Sequence, residues 1–218
     1  MEQTDRIIKN IIFDFGGVLL DINYHLTYTA LSRLIGKRFD PIYISASAIQ
    51  VLHQYETGQI SSAEFFDHLQ QWALPNAVNI DQLKNAWNAM LIGWNPDKFE
   101  FILQLRRKYK VFLLSNTNEC HLEWVYHDLA TNHQIFEFES AYFDQAYYSH
   151  VIGRRKPNED IYQFVTNDAQ IKPEETIFID DLLPNILAAK DHGWQTYHHD
   201  PSDSIVEVIH KILMTSKS

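Results

Sequence analysis

The sequence predicts an α/β fold: a doubly wound parallel sheet flanked by helices, with about four further helices inserted after the first strand. Three observations carry this expectation. Short apolar runs alternate with helical patterns along the chain. The first run, Ile11-Ile12-Phe13, ends in Asp14 and is followed at once by Gly16-Gly17. That is the pattern of a buried central strand delivering a carboxylate to the ligand-binding edge of a sheet. Residues 23–94 then show no convincing strand, only helical spacing.

Strands are expected at residues 7–13, 111–114, near 141–143, at 176–179 and at 196–198. Asp97 is expected to cap a helix carrying Phe101, Ile102 and Leu105 on one face. Pro157 and Pro184 suit first turns of helices, Gly193 closes the second of these, and Pro201 with Asp203 opens a last helix through Ile205, Val208, Ile209 and Ile212. In the insertion, Leu26, Leu31 and Leu34 mark one helix ending near Gly36, and residues 45–55 a second, stopped by Gly58. Ser61-Ser62-Ala63-Glu64 forms a capping box for a third with Phe65, Phe66, Leu69 and Trp72. Pro75 ends it, and Leu83, Trp87, Met90 and Leu91 mark a fourth. Asn95-Pro96 reads as the return linker. The division that follows is a core of residues 1–20 and 95–218 and a cap of residues 21–94.

Composition narrows the function. With 45% hydrophobic and 21% charged residues over 218 positions, the chain has enough apolar content for a sizeable core. A net charge of −10 argues against non-specific nucleic-acid binding and against an anionic membrane surface. The single cysteine, Cys120, excludes an internal disulfide and reads as buried packing. No signal-like start and no long apolar run is present, so a cytoplasmic location without membrane association is expected, as a monomer or homodimer.

Four polar clusters follow predicted strands in order: Asp14; Ser115-Asn116-Thr117-Asn118; Arg154-Arg155-Lys156-Pro157; and Asp180-Asp181. A phosphoryl group would use them together. Ser115 and the backbone N–H groups after it donate to its oxygens, and Lys156 adds a point charge. Three carboxylates around an anion repel it unless a hard divalent cation intervenes, and Mg²⁺ suits carboxylates, phosphate and water. Asp14 is then a candidate nucleophile for in-line attack on phosphorus.

In this order the clusters resemble the haloacid dehalogenase superfamily, over nearly the whole chain. Asp14 matches its nucleophile, Ser115 its second motif, Lys156 its third and Asp180-Asp181 its acidic fourth. The insertion looks like the family's helical cap on a Rossmann-like core. Asp-Phe-Gly-Gly-Val-Leu, Glu56-Thr57-Gly58-Gln59-Ile60-Ser61, Leu-Ser-Asn-Thr-Asn and Arg-Lys-Pro together resemble the branch of sugar-phosphate phosphatases that includes α-D-glucose-1-phosphate phosphatase. The phosphatase domain of soluble epoxide hydrolases is a further relative.

The resemblance implies a Mg²⁺-dependent phosphatase of small phosphorylated metabolites, sugar phosphates above all, working through an aspartyl-phosphate. Asp14, the Gly16 backbone carbonyl and Asp181 would hold the metal, with Asp180 assisting and Asn185 holding outer-shell water. Ser115, Asn116, Lys156 and the backbone of Phe15 and Gly16 would bind phosphate, and Asp14, Ser115 and Lys156 would be catalytic.

The chain departs from the resembling pattern at Gly16, where most such phosphatases carry an Asp that protonates the leaving group. General acid–base help is worth roughly 10²–10⁴-fold. Asp21 and His25 are candidate substitutes. The gap also leaves open a non-catalytic phosphate-binding protein and a 2-haloacid dehalogenase, against which the paired Asp180-Asp181 argues. For specificity, Glu56 with His53, Gln54 and Tyr55 would read sugar hydroxyls, and Trp72, Trp87 or Trp94 would stack on a sugar or fill the cap core. His198-His199 reads as a solvated strand end.

Overall fold

The computed structural model describes residues 7–215. Five parallel strands form the main sheet: β1 (Asn10–Phe13), β4 (Lys110–Ser115), β5 (Gln145–Tyr148), β6 (Thr176–Asp180) and β7 (Gln195–His198), in the spatial order β5-β4-β1-β6-β7. The chain winds outward from β1 through β4 to β5, then crosses back to β6 and β7. The order therefore reverses beside β1, and the carboxyl ends of β1 and β6 form the crevice where such sheets bind ligands.

β1 is buried along its whole length. Its side chains alternate between two apolar layers. Ile11 and Phe13 join Val111, Leu113, Ile177 and Ile179 on one face, and Ile12 joins Phe112, Leu114 and Phe178 on the other. Both faces are apolar because helices cover both: α5 (Asp97–Leu105) and α11 (Ile205–Thr215) contribute to the first layer, α9 (Glu159–Asp168) and α10 (Leu183–Asp191) to the second.

Two further strands, β2 (Leu20–Ile22) and β3 (Leu91–Trp94), pair antiparallel and carry the chain out to the helical insertion and back. Between them lie α1 (Tyr24–Ile35), α2 (Ala46–Glu56), α3 (Ser62–Ala73) and α4 (Ile80–Asn88). Their caps follow the sequence: Gly36 ends α1 in the left-handed conformation, Ser45 caps α2, and Ser61 with Glu64 closes a capping box on α3. Leu31, Phe39, Tyr55, Phe65, Leu69, Leu83 and Trp87 meet in one cluster. Cys120, from α6 (Glu119–His133) of the sheet-bearing part, completes it.

Several sequence expectations are corrected. The strand expected near 141–143 is the short helix α7 (Phe138–Tyr142), and the strand lies just beyond, at β5. Phe138 and Tyr142, four apart, turn one helical face onto Phe99, whereas Gln145-Ala146-Tyr147-Tyr148 supplies the extended edge. Residues 91–94 form β3 rather than the end of α4; Gly93, at φ 141°, suits an extended hinge and not a helix. Asp97 is the first residue of α5 and not its cap; Asn95 Oδ1 accepts its N–H instead. Ser204, not Asp203, accepts an N–H at the start of α11. Pro157 precedes the cap of α9, at Asn158. Among the described residues no helix is long and apolar enough to cross a membrane.

Candidate active site

Strand register builds the site. Phe13 pairs with Leu113 on one side and Ile179 on the other, so the residues that follow leave adjacent strands at one level. Asp14 N–H donates to the Ile179 carbonyl at 2.8 Å, which fixes the Asp14 backbone beside Asp180. Ser115 closes β4 on the other flank and is buried. Lys156 arrives from the loop between α8 (Ser149–Ile152) and α9.

Lys156 is the centre of the arrangement. It is 1% exposed, and its ammonium lies 2.7 Å from Asp14 Oδ1, 2.7 Å from Asp180 Oδ2 and 2.8 Å from the Leu114 carbonyl. Three donors thus meet three acceptors. Burial by itself would lower the Lys156 pKa, but Asp14 and Asp180 hold it above the usual lysine value, so the ammonium stays charged. Asp14 Oδ1 also accepts the Phe15 N–H at 2.6 Å. Burial first, and repulsion from Asp180 second, push the Asp14 carboxyl well above its ordinary range despite Lys156. Asp180 is fully buried and saturated: Leu182 N–H, Asn185 Nδ2 and Lys156 Nζ cover both oxygens.

Asp14, Asp180 and Asp181 each offer an oxygen within 4.8 Å of the others. One ammonium among three carboxylates leaves two negative charges uncompensated, the charge of one divalent cation. Burial and the neighbouring Asp180 raise the Asp181 pKa to about 6. Gly17, at φ +77°, has no Cβ to collide with Asp181; one placed there would lie 2.5 Å from Oδ2. The close approach that Gly17 allows Asp181 and the unbalanced charge fit a hard cation such as Mg²⁺. Asp14 and Asp181 retain oxygens free for it, while the oxygens of Asp180 are already bonded to protein, which suits a supporting place.

The loops are locked by their own polar groups. The Asn116 amide spans the Lys156 backbone, accepting from the N–H at 2.9 Å and donating to the carbonyl at 2.8 Å. Ser149 Oγ likewise holds both backbone groups of Thr117. Asn118 caps α6, and its Oδ1 accepts from His121 N–H and Trp87 Nε1. Its Nδ2 then faces His121 Nδ1 at 3.1 Å, so that ring nitrogen must accept, and His121 Nε2 is left to donate to the Trp87 carbonyl. Burial lowers the His121 pKa to about 4, in keeping with this neutral tautomer. Asn118 belongs to the polar cluster that follows β4 in the sequence, whereas Ser149 and His121 carry no such signal, and sequence reasoning missed them.

Above the carboxylates lies a cavity of about 200 Å³. That volume lies below the range of drug-sized sites, which begins near about 300 Å³. The floor is Asp14, Phe15, Gly16, Ser115 and Lys156; the insertion contributes Tyr24, Tyr28, Leu52, Glu56 and Trp87. Glu56 bonds Arg155 Nε at 2.9 Å and so ties α2 to the turn carrying Lys156.

The remaining candidates fall elsewhere. Asp21 alternates away from Leu20 and Ile22, which line the cavity, and pairs with Lys98 at 2.8 Å. His25 lies in a separate outer groove beside α1. Neither supplies a proton carrier within the cavity. His53 and Gln54 line another surface groove, and Tyr55 is buried against Phe65, bonded to Ser62 and the Cys120 N–H. Trp72 packs on Phe39, and Trp94 on Phe15, Phe99 and Phe138. Of the three candidate tryptophans Trp87 reaches the cavity, its ring stacked on His121 at 5.1 Å. His198 is exposed as expected, but His199 is buried.

Comparison with known proteins agrees with this geometry. A D-ribitol-5-phosphate phosphatase of Bacteroides thetaiotaomicron is 32% identical over 197 residues, covering 88% of this chain and 91% of the relative. A haloacid dehalogenase-family enzyme of the same organism, solved with magnesium and inorganic phosphate, superposes with a TM-score of 0.79 at 32% identity over 90% of this chain and 96% of that one. A haloacid dehalogenase-like hydrolase structure from Porphyromonas gingivalis matches with a TM-score of 0.80 at 30% identity, covering 95% and 98%. An L-2-haloacid dehalogenase, at 19% identity and a TM-score of 0.59, shares the fold. The haloacid dehalogenase-like hydrolase model matches residues 8–193, and the chain belongs to that family.

Proposed function

We propose that this protein is a Mg²⁺-dependent phosphatase of small phosphorylated metabolites, with sugar phosphates as its substrate class. The observation that carries the reading is the meeting of Asp14 and Lys156 on the floor of one small cavity, with the Asp180-Asp181 pair directly beside them. The named activity of the B. thetaiotaomicron relative supports it.

In this reading Asp14 attacks phosphorus and the bond to the leaving oxygen breaks, giving an aspartyl-phosphate that water then hydrolyses. Lys156 and Ser115, with the backbone of Phe15 and Gly16, hold the phosphoryl oxygens. Asn116 serves by fixing the Lys156 backbone. Asp14, Asp181 and the Gly16 carbonyl are the groups to hold the metal, and Asp180 positions Lys156 and Asn185 beside them. Mg²⁺, when bound, offsets the charge of the phosphoryl oxygens against the carboxylates. Residues 21–94 act as the cap that closes over the leaving group, and residues 1–20 and 95–218 as the core.

The test is phosphate release from a panel of sugar phosphates, with and without Mg²⁺, for wild type and Asp14→Asn. Metal-dependent turnover lost in the variant is the expected result. Ligand binding without turnover on any substrate would instead mark a protein that has kept the pocket and lost the reaction.

A further inference from the structure

Cleaving an alkyl phosphate leaves an oxygen that gathers negative charge, and that oxygen faces away from the floor, toward the insertion. Gly16 offers no side chain there, and the space is taken: a Cβ at Gly16 would stand 2.9 Å from Ile22 Cδ1. The other donors around the cavity are mostly committed. Lys156 has three acceptors, and Arg155 Nε is on Glu56. The amides of Asn116, Asn118 and Asn185 are bonded, and His121 Nε2 is on the Trp87 carbonyl. Ser115 and Thr117 belong to the β4 side, with the phosphoryl group. Among the residues of the insertion that line the cavity, Tyr24 and Tyr28 are the two that carry hydroxyls, both on α1. Tyr28 lies one turn farther along the helix, whereas Tyr24 opens it two residues beyond Ile22, the side chain that covers Gly16, and lines the cavity together with Asp14. The Tyr24 hydroxyl has no hydrogen-bond partner among the described residues, and its ring is stacked on Tyr28 at 6.2 Å. A phenol, with an ordinary pKa near about 10, is protonated at neutral pH, as a donor must be.

Building on the phosphatase reading, we infer that Tyr24 donates its O–H to the leaving oxygen as the phosphorus–oxygen bond breaks. It takes the place on the cap that a side chain at Gly16 would have filled from the core. The leaving oxygen departs with the bonding electron pair, held by the phenol, and takes its proton from a water. The hydroxide so formed attacks phosphorus of the aspartyl-phosphate and frees the Asp14 carboxylate, and the sum is one phosphate ester and one water to one alcohol and one phosphate.

The test compares Tyr24→Phe with wild type on 4-nitrophenyl phosphate and benzyl phosphate, in Mg²⁺. The two esters are similar in size but differ in how basic the leaving oxygen is. The substitution keeps the stacked ring, so the fold is retained. A kcat loss of about 10²-fold on benzyl phosphate, with less than about threefold on 4-nitrophenyl phosphate, is expected for one lost donor to a developing oxyanion. Equal losses on both esters would make Tyr24 a wall of the cavity and overturn the inference, as would no loss on either. Wild type releasing phosphate from neither ester, nor from any sugar phosphate, would overturn the phosphatase reading and this one with it.

Discussion

The two faces of the cavity are built to different standards. On the floor and directly behind it, the side-chain polar atoms of Lys156 and Asp180 all have partners, and the backbone beside them is tied down by Asn116 and Ser149. On the roof, Tyr24 and Tyr28 leave their hydroxyls open, and one ion pair, Glu56–Arg155, ties α2 to the floor. A buried charge must be fully satisfied or it unfolds its surroundings, so the floor can vary little. The roof bears no such constraint, and it is there that substrate choice resides on the proposed reading.

The largest effect should come from the floor. Asp14→Asn is expected to lower phosphate release by at least about 10⁴-fold while binding persists, as for the loss of a nucleophile; residual turnover within tenfold of wild type would remove Asp14 from that role. Chelation with EDTA should abolish turnover, and added Mg²⁺ should raise the melting temperature of wild type but not of Asp181→Asn. Equal shifts in both would move the metal away from Asp181.

Lys156→Gln leaves Asp14 and Asp180 facing each other in the interior without a cation. A stability loss of about 3–5 kcal/mol in urea unfolding is expected, and a loss under 1 kcal/mol would mean that the floor tolerates what its burial says it should not. Next comes His121, whose folded pKa of about 4 lies below its unfolded value near 6.5. Above pH 6.5 both states are neutral. Below it only the unfolded state takes the proton, so stability falls as pH drops toward 4, by at most about 3 kcal/mol. His121→Gln keeps a donor for the Trp87 carbonyl and cannot titrate; its stability should fall less steeply over that window, and parallel curves would refute the assignment.

The smallest stability effect belongs to the roof. Glu56→Gln should cost under about 1 kcal/mol of stability, since the ion pair is partly solvated, yet shift the ranking of sugar phosphates by kcat/KM. An unchanged ranking would take selectivity away from this corner.

The contrast also explains what was legible in the sequence. The floor and the carboxylates beside it were, because three of these groups end or follow an apolar strand long enough to be recognised, Asp14 after β1, Ser115 at the end of β4 and Asp180 at the end of β6, while Lys156, in the loop between α8 and α9, was legible from the basic turn Arg154-Arg155-Lys156-Pro157. The helices of the insertion were, through their boxes and terminal glycines. The hinge was not. β2 and β3 are only three and four residues long, and their pairing joins residues more than 60 positions apart, so no local period announces them. Missing the phase of β2 is what made Asp21 look like a proton carrier, when the pleat turns it to Lys98 and gives the cavity to Ile22. β5 was placed a few residues early because Phe138, Tyr142 and Phe143 are aromatic in either conformation. The Asn118–His121–Trp87 network joins a strand-end loop to a cap helix and exists only once both are folded.

Lys156 has one further consequence. An ammonium with all three protons engaged has none to offer an arriving anion, so a phosphoryl oxygen reaches it only by exchange. The Leu114 carbonyl is part of a strand, and Asp180 is clamped by Asn185 and the Leu182 N–H. Asp14 is the acceptor that can let go. On the proposed reading the lysine thus acts as a safety catch: until a substrate claims it, the nucleophile stays sheathed, and the substrate itself releases the carboxylate that will attack it.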